Sequence, residues 1–129
     1  MSATHELYGR ARMSAQRARI GEAVLAMPGA FTAEDLHGRV SEAVPGIGRA
    51  TSYRALAAMQ ASGAVTNVGD RQGSALLARC DRHDHHHHLV CTACGSVVGI
   101  DCPLGHEALA SAEREGHLVT RHEITLYGL

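Results

Sequence analysis

Residues 80–94, CDRHDHHHHLVCTAC, hold three thiols and five imidazoles within 15 positions. Thiolates and neutral imidazoles are the donors that zinc and similar ions prefer, so metal binding is the chemistry this segment points to. If residues 85–88 run extended into Leu89, Val90 and Cys91, alternation sends His85 and His87 to one face and His86 and His88 to the other. Two separate His-x-His half-sites result, and each needs one or two further donors because closed zinc sites take four. Cys80 can add sulfur to one half-site, which favours zinc over magnesium, calcium or manganese; His106 and His122 are candidate donors for the other. A purification tag fits poorly, since a tag lies at a terminus and is not interrupted by a residue such as Asp84.

Cys91-x-x-Cys94, followed by Gly95, resembles half of a structural zinc knuckle. Cys102, eight residues on, is the one remaining sulfur. A three-thiolate site completed by a His, a bridge to a partner chain, and two plain reduced cysteines all stay open. A catalytic zinc would need an open coordination position and a general base, and the chain has neither HExxH nor HxE with PCxxC. An enzyme is not expected.

The elements that must position these donors are short. At 129 residues the chain makes one domain or two very small ones, and 45% hydrophobic with 19% charged residues is ordinary for a folded protein. Aromatics are only 3%, so Ala, Leu and Val are expected to do most of the burial. All 12 basic residues are Arg, and the formal net charge is -1. Residues 1–63 carry seven Arg against five acids (7 − 5 = +2), and residues 64–129 five Arg against eight acids (5 − 8 = −3). The front half is therefore the one suited to phosphate. The chain has no run of 18 apolar residues, and its first residues lack the order of a signal peptide, so a cytoplasmic protein without membrane partners is expected, its cysteines thiols or ligands.

Residues 14–27 place Ile20, Val24, Leu25 and Met27 at helical spacing behind Ser14, with Pro28-Gly29 as the stop. Residues 32–44 repeat this with Thr32 as N-cap, Asp35 three positions on, and Leu36, Val40 and Val44 as the stripe. Residues 50–62 put Tyr53, Leu56 and Met59 on one face and end at Gly63. Two strand-like runs, AVTNV and SALLARC, follow around GDRQG and read as a hairpin. Three helices and a hairpin is the order of a winged helix. The back half offers strands at 88–91, 96–101 and 118–127 and a helix near 104–115; a piece this small needs metal or dimerisation to hold it.

In their order along the chain, MSAQR (13–17), TAEDL (32–36), TSYRAL (51–56), HHHHLVCTACG (85–95) and HEITLYG (122–128) resemble the ferric uptake regulator family of metal-dependent repressors, across nearly the whole chain. The resemblance implies an α+β protein: a winged-helix DNA-binding domain with its hinge over 1–80, and a small α/β metal-binding dimerisation domain over 81–129. It further implies a homodimer that binds double-stranded operator DNA when metal is bound, controlling genes of metal uptake or homeostasis.

By position, the resemblance assigns DNA contacts to Arg49, Thr51, Ser52, Tyr53 and Arg54 on the third helix, with Arg12, Gln16 and Arg17 near phosphates or the minor groove. Tyr53 also shares a face with Leu56 and Met59, so core packing is its competing role. Ser52 stands where the family usually has Val. Iron- and nickel-sensing relatives commonly carry a His where this chain has Ala30, whereas zinc-sensing relatives have a Cys before the His run, as Cys80 is here. The implied sensing site is Cys80, His86 and His88, with Thr66 at the fourth-ligand position and water, Asp70 or His83 as substitutes. The implied second site is His85, His87, His122 and His106, with Glu107 competing for the last place. Relatives often continue past LYG with a further CxxC that closes a zinc site on Cys91 and Cys94; here Leu129 follows, so that zinc is dispensed with, or Cys102 substitutes, or the chain is truncated. The expected protein is thus a zinc-responsive repressor of this family. An iron, nickel or peroxide sensor is the alternative within the family, and a metal-buffering protein without operator binding is the alternative outside it.

Overall fold

The computed structural model describes residues 3–80 and 84–129. Four helices open the chain: α1 (Ala3–Leu7), α2 (Ala15–Leu25), α3 (Ala33–Ala43) and α4 (Arg49–Ala61). Ser14 caps α2 by accepting the Arg17 N–H at 3.1 Å. Thr32 and Asp35 form a reciprocal capping box at α3: the Asp35 N–H donates to Thr32 Oγ1 at 3.1 Å and the Thr32 N–H to Asp35 Oδ2 at 3.0 Å. Helix α1, five residues long, is too short for an apolar stripe to announce it in the sequence. It forms because Leu7 and the following Tyr8 bury themselves against the later helices, with the Tyr8 hydroxyl donating to the Arg17 carbonyl at 2.6 Å.

The hairpin follows as β1 (Val65–Arg71) and β2 (Ser74–Arg79), antiparallel. Its turn is tighter than GDRQG suggests: Gln72 and Gly73 alone reverse the chain, at φ 51 and 87. Both left-handed angles match the twist of a two-residue hairpin, and Gly73 adopts its angle without side-chain strain. Phe31 bridges to Leu77 through two backbone hydrogen bonds, tying the approach to α3 onto the wing. The core of this half gathers Ile20 and Val24, Leu36 and Val40, Leu56 and Met59, with Val65 and Leu77. Scarce as aromatics are, Tyr8 and Phe31 are both fully buried in it, so Ala, Leu and Val do not carry the burial alone.

The C-terminal half is a three-stranded sheet ordered β4-β3-β5, where β3 is His86–Cys91, β4 is Val97–Asp101 and β5 is Thr125–Gly128. Strand β4 lies antiparallel to β3 and β5 parallel to it. Helix α5 (His106–Arg114) connects β4 to β5 and has no buried residue. The strand expected over 118–127 is confined to its last part: residues 117–124 form no strand, and the Ile124 N–H goes to a His87 ring nitrogen, not to a strand partner.

The two halves touch directly. Val68, Leu76 and Ala78 of the wing pack on Val90 of β3. The Thr125 hydroxyl donates to the Val68 carbonyl at 2.8 Å, and the Asp70 N–H donates to the Tyr127 hydroxyl at 2.7 Å. The Ala30 N–H donates to the Gly95 carbonyl at 2.7 Å, beside Gly29, where a Cβ would collide with that same backbone. No helix among the described residues is long and apolar enough to cross a membrane.

Candidate metal centres and nucleic-acid surface

Strand β3 distributes its imidazoles by the alternation of a pleated chain. One group gathers Cys80, His86 and His88, and another gathers His85, His87, Cys102 and His122; in each, the donor atoms all lie within 4.8 Å of one another. In the first group, Cys80 Sγ is 3.3 Å from His86 Nε2. Cys80 follows β2 directly and its N–H donates to the Ala64 carbonyl at 3.1 Å, so this donor belongs to the wing while its two imidazoles belong to the C-terminal sheet. In the second group, His122 Nε2 lies 3.0 Å from His85 Nε2 and 3.2 Å from Cys102 Sγ. Cys80, the four histidines His85 to His88, and His122 line one cavity of about 590 Å³ together with Thr66 and Asp70; Cys102 is not part of its lining.

The donor chemistry fits a metal. His87 is buried, its Nδ1 accepts the Ile124 N–H at 3.2 Å, and its Nε2 is buried without a hydrogen-bond partner. Burial first, then the neighbouring His85, His122 and His86 charges, hold the His87 pKa below the ordinary histidine value. Such a ring stays neutral, the form that ligates.

Several expected donors fall elsewhere. His106 is the exposed first residue of α5, and neither it nor Glu107 joins the second group; Cys102 occupies the fourth place instead. Pro103, Leu104 and Gly105 separate Cys102 from α5, so the helix starts only after the chain has left the cluster. Cys91 and Cys94 belong to neither group: the Cys94 N–H meets Cys91 Sγ at 3.4 Å and the Cys94 thiol meets Ser96 Oγ at 3.2 Å. These contacts lower the Cys94 pKa, the Ser96 side chain most. Cys102 does not complete that pair, since it lies past Asp101, which pairs with His86 at the opposite end of the β3–β4 hairpin from Cys91. His83 lies outside the described residues. The sequence leaves the role of Cys102 open; β4 alternation from Val98 through Ile100 is the signal that places it on the His87 face.

On α4, Tyr53 and Arg54 are exposed and Thr51 half-buried, whereas Leu56 and Met59 are in the core. Tyr53 therefore departs from the packing stripe. Ser52 is buried at 1% exposure and its hydroxyl lies 2.8 Å from His37 Nδ1 on α3, so its expected place among the DNA contacts is corrected to a helix-packing role. Glu34, not singled out from the sequence, organises this surface. Arg49 donates to both its carboxylate oxygens, at 2.5 and 2.7 Å, and the Tyr53 hydroxyl donates to it at 2.5 Å. Those contacts, Arg49 first, hold the Glu34 pKa down to about 2 and raise the Arg49 and Tyr53 values. Arg12 and Gln16 are exposed ahead of and within α2, while Arg17 lies 5.5 Å from the centre of the Tyr8 ring and donates to the Arg12 carbonyl at 3.0 Å.

A model of the Ferric uptake regulator family matches residues 9–127. The "Transcriptional regulator FurA" of Mycobacterium tuberculosis is 35% identical over 121 residues, covering 92% of this chain and 80% of that protein. The "Zinc uptake regulation protein" of the same species is 33% identical over 118 residues, covering 91% of this chain and 90% of that protein. A solved structure described as "Zinc Uptake Regulator Complexed With Zinc AND DNA" superposes with a TM-score of 0.72 over 100% of this chain and 93% of that one, at 24% identity, a likeness of fold. Matched by the family model from residue 9 to residue 127, the chain belongs to the ferric uptake regulator family of metal-responsive transcriptional regulators.

Proposed function

We propose that this regulator is a zinc-responsive repressor whose sensing site is Cys80, His86 and His88. The observation that carries the reading is that one thiolate from the end of the wing and two imidazoles from β3 converge within 4.8 Å. Sulfur with imidazole nitrogen suits zinc better than hard cations. An ion held there would link the wing to the C-terminal sheet and narrow the range of their relative positions, so that DNA meets a preorganised pair of wings. Thr66 and Asp70 line the same cavity, and Asp70, His83 or water supplies the fourth ligand.

In this reading residues 1–80 form the DNA-binding domain and residues 81–129 the dimerisation domain of a homodimer on double-stranded operator DNA. Dimerisation is supported by one sheet face: register aligns Val98, Leu89 and Leu126 across the three strands, and Val98 and Leu126 are about half exposed. A second copy would cover that row. At the DNA, Arg54 and Tyr53 reach bases or phosphates from α4, and a phosphate replaces Glu34 as the partner of Arg49. The choice of zinc over iron or nickel rests on the Cys80 thiolate beside the two imidazoles.

Fluorescence anisotropy on the protein's own upstream DNA, at buffered free zinc, iron(II) or nickel, tests this. Zinc is expected to drive binding at the lowest free concentration, and Cys80→Ala to abolish the response. Stronger binding with iron or nickel would overturn the choice of metal. No binding with any metal would favour the buffering reading.

A further inference from the structure

We propose that Cys102 turns the second cluster into a closed structural site, in which Cys102, His85, His87 and His122 staple the C-terminal sheet. The inference rests on the metal-binding reading above and gives this cluster a residue and a task which that reading does not contain.

Strand register brings the donors together. His86 pairs with Asp101 in the antiparallel β3–β4 ladder, so one step further sets His85 opposite Cys102. His88 pairs with Thr125 in the parallel β3–β5 ladder, so three steps back sets His85 opposite His122. Three donors from three chain segments thus stand abreast, and His87, two residues along on the same face, is the fourth. Tetrahedral zinc with its usual bond lengths holds such donors about 3.3–3.6 Å apart. The contacts of 3.0 and 3.2 Å, within a group spanning 4.8 Å, lie close to that geometry.

The surroundings give such an ion a structural task. Among the described residues after 83, Val90 is the one fully buried hydrophobic side chain, and α5 buries none. The sheet has too little apolar core of its own to order its ends. Cys102 opens the irregular stretch before α5 and His122 lies in the irregular stretch before β5, so an ion on both would fix the two segments that backbone hydrogen bonds leave loose. Binding releases the Cys102 thiol proton to solvent and couples ligation to folding. The Cys80 group has three donors among the described residues and joins the two halves, so its ion restrains their arrangement and not the fold of either.

Cobalt(II) substitution of the full-length protein tests the division, read by thiolate-to-cobalt charge-transfer absorption and by chelator competition. One cobalt is expected per cluster. Cys102→Ser should lose the more tightly held ion and roughly half of the charge-transfer intensity, because each cluster has one sulfur, and its Tm should fall. Cys102→Asp should regain the ion without its charge-transfer band. Cys80→Ser should lose the other ion and leave the Tm unchanged. In the unsubstituted protein, zinc should shield Cys102 from iodoacetamide, and a chelator should restore its reactivity. Retention of both ions with full charge-transfer intensity in Cys102→Ser, loss of the second ion in His106→Ala instead, or zinc-independent alkylation of Cys102 would each overturn the proposal. Failure of the repressor reading would show separately, as metal-indifferent DNA binding beside intact cobalt results.

Discussion

Glu34 holds Arg49 and Tyr53 through three short hydrogen bonds on an exposed surface. The depression of its pKa from 4.5 to about 2 comes chiefly from Arg49. A depressed carboxylate pKa means the ionised contact is fully present above the ordinary carboxylate value and is lost as pH falls through about 2. An NMR titration of Glu34 is expected to show that low midpoint, and Arg49→Ala to return it most of the way to 4.5. The same variant, measured on operator DNA, should lower the slope of log K against log salt by about one if Arg49 moves to a phosphate. His87 carries a second prediction at this scale. Its Nδ1 accepts the Ile124 N–H, and a metal-bound imidazole has no acceptor nitrogen left, because one nitrogen binds the ion and the other holds the ring proton. Zinc loading should therefore shift the Ile124 amide resonance and speed its hydrogen exchange. An unchanged amide would mean that His87 stays outside the coordination sphere.

The two halves meet at the level of elements through backbone as much as through side chains. Gly29 approaches Gly95 so closely that a Cβ would require one chain to move, and the Ala30 N–H bond to the Gly95 carbonyl lies beside it. Backbone has little room to yield, unlike the tip of a flexible side chain. Gly29→Ala is expected to part the two halves at this seam, weakening zinc-dependent DNA binding severalfold while the Cys102 cluster, whose donors all lie in the C-terminal half, keeps its cobalt. Equal DNA affinity in the variant would show that the closed arrangement is not needed on DNA. The Val68–Leu76–Ala78–Val90 contact and the Tyr127 hydroxyl at the Asp70 N–H belong to the same seam and add the wing to it.

Across the whole molecule, the row Val98, Leu89 and Leu126 with an uncovered α5 calls for a partner surface. Leu126→Asp should convert a dimer to a monomer in light scattering, since a carboxylate desolvated at the centre of such a row has no partner. Operator affinity should fall with it, because the proposed dimer would read two half-sites with two linked wings. A variant that remains dimeric would place the interface elsewhere.

Local patterns were enough to read α2, α3, α4 and the hairpin, because caps, 3.6-residue stripes and turn residues act within a few positions of one another. The division of His85 and His87 from His86 and His88 was equally legible, since alternation is a property of a single strand. What the sequence could not decide depended on register between segments distant in the chain. Cys102 stands beside His122 because two ladders align them on His85, and His106 is left out because three residues carry the chain away before α5 begins. Ser52 and Tyr53 are adjacent in sequence, yet one packs against His37 and the other reaches Glu34, a choice made by how α3 crosses α4. Helix α1 and the irregular path through Ile124 likewise exist only by virtue of what they pack against, so tertiary contacts, not local propensity, determine them.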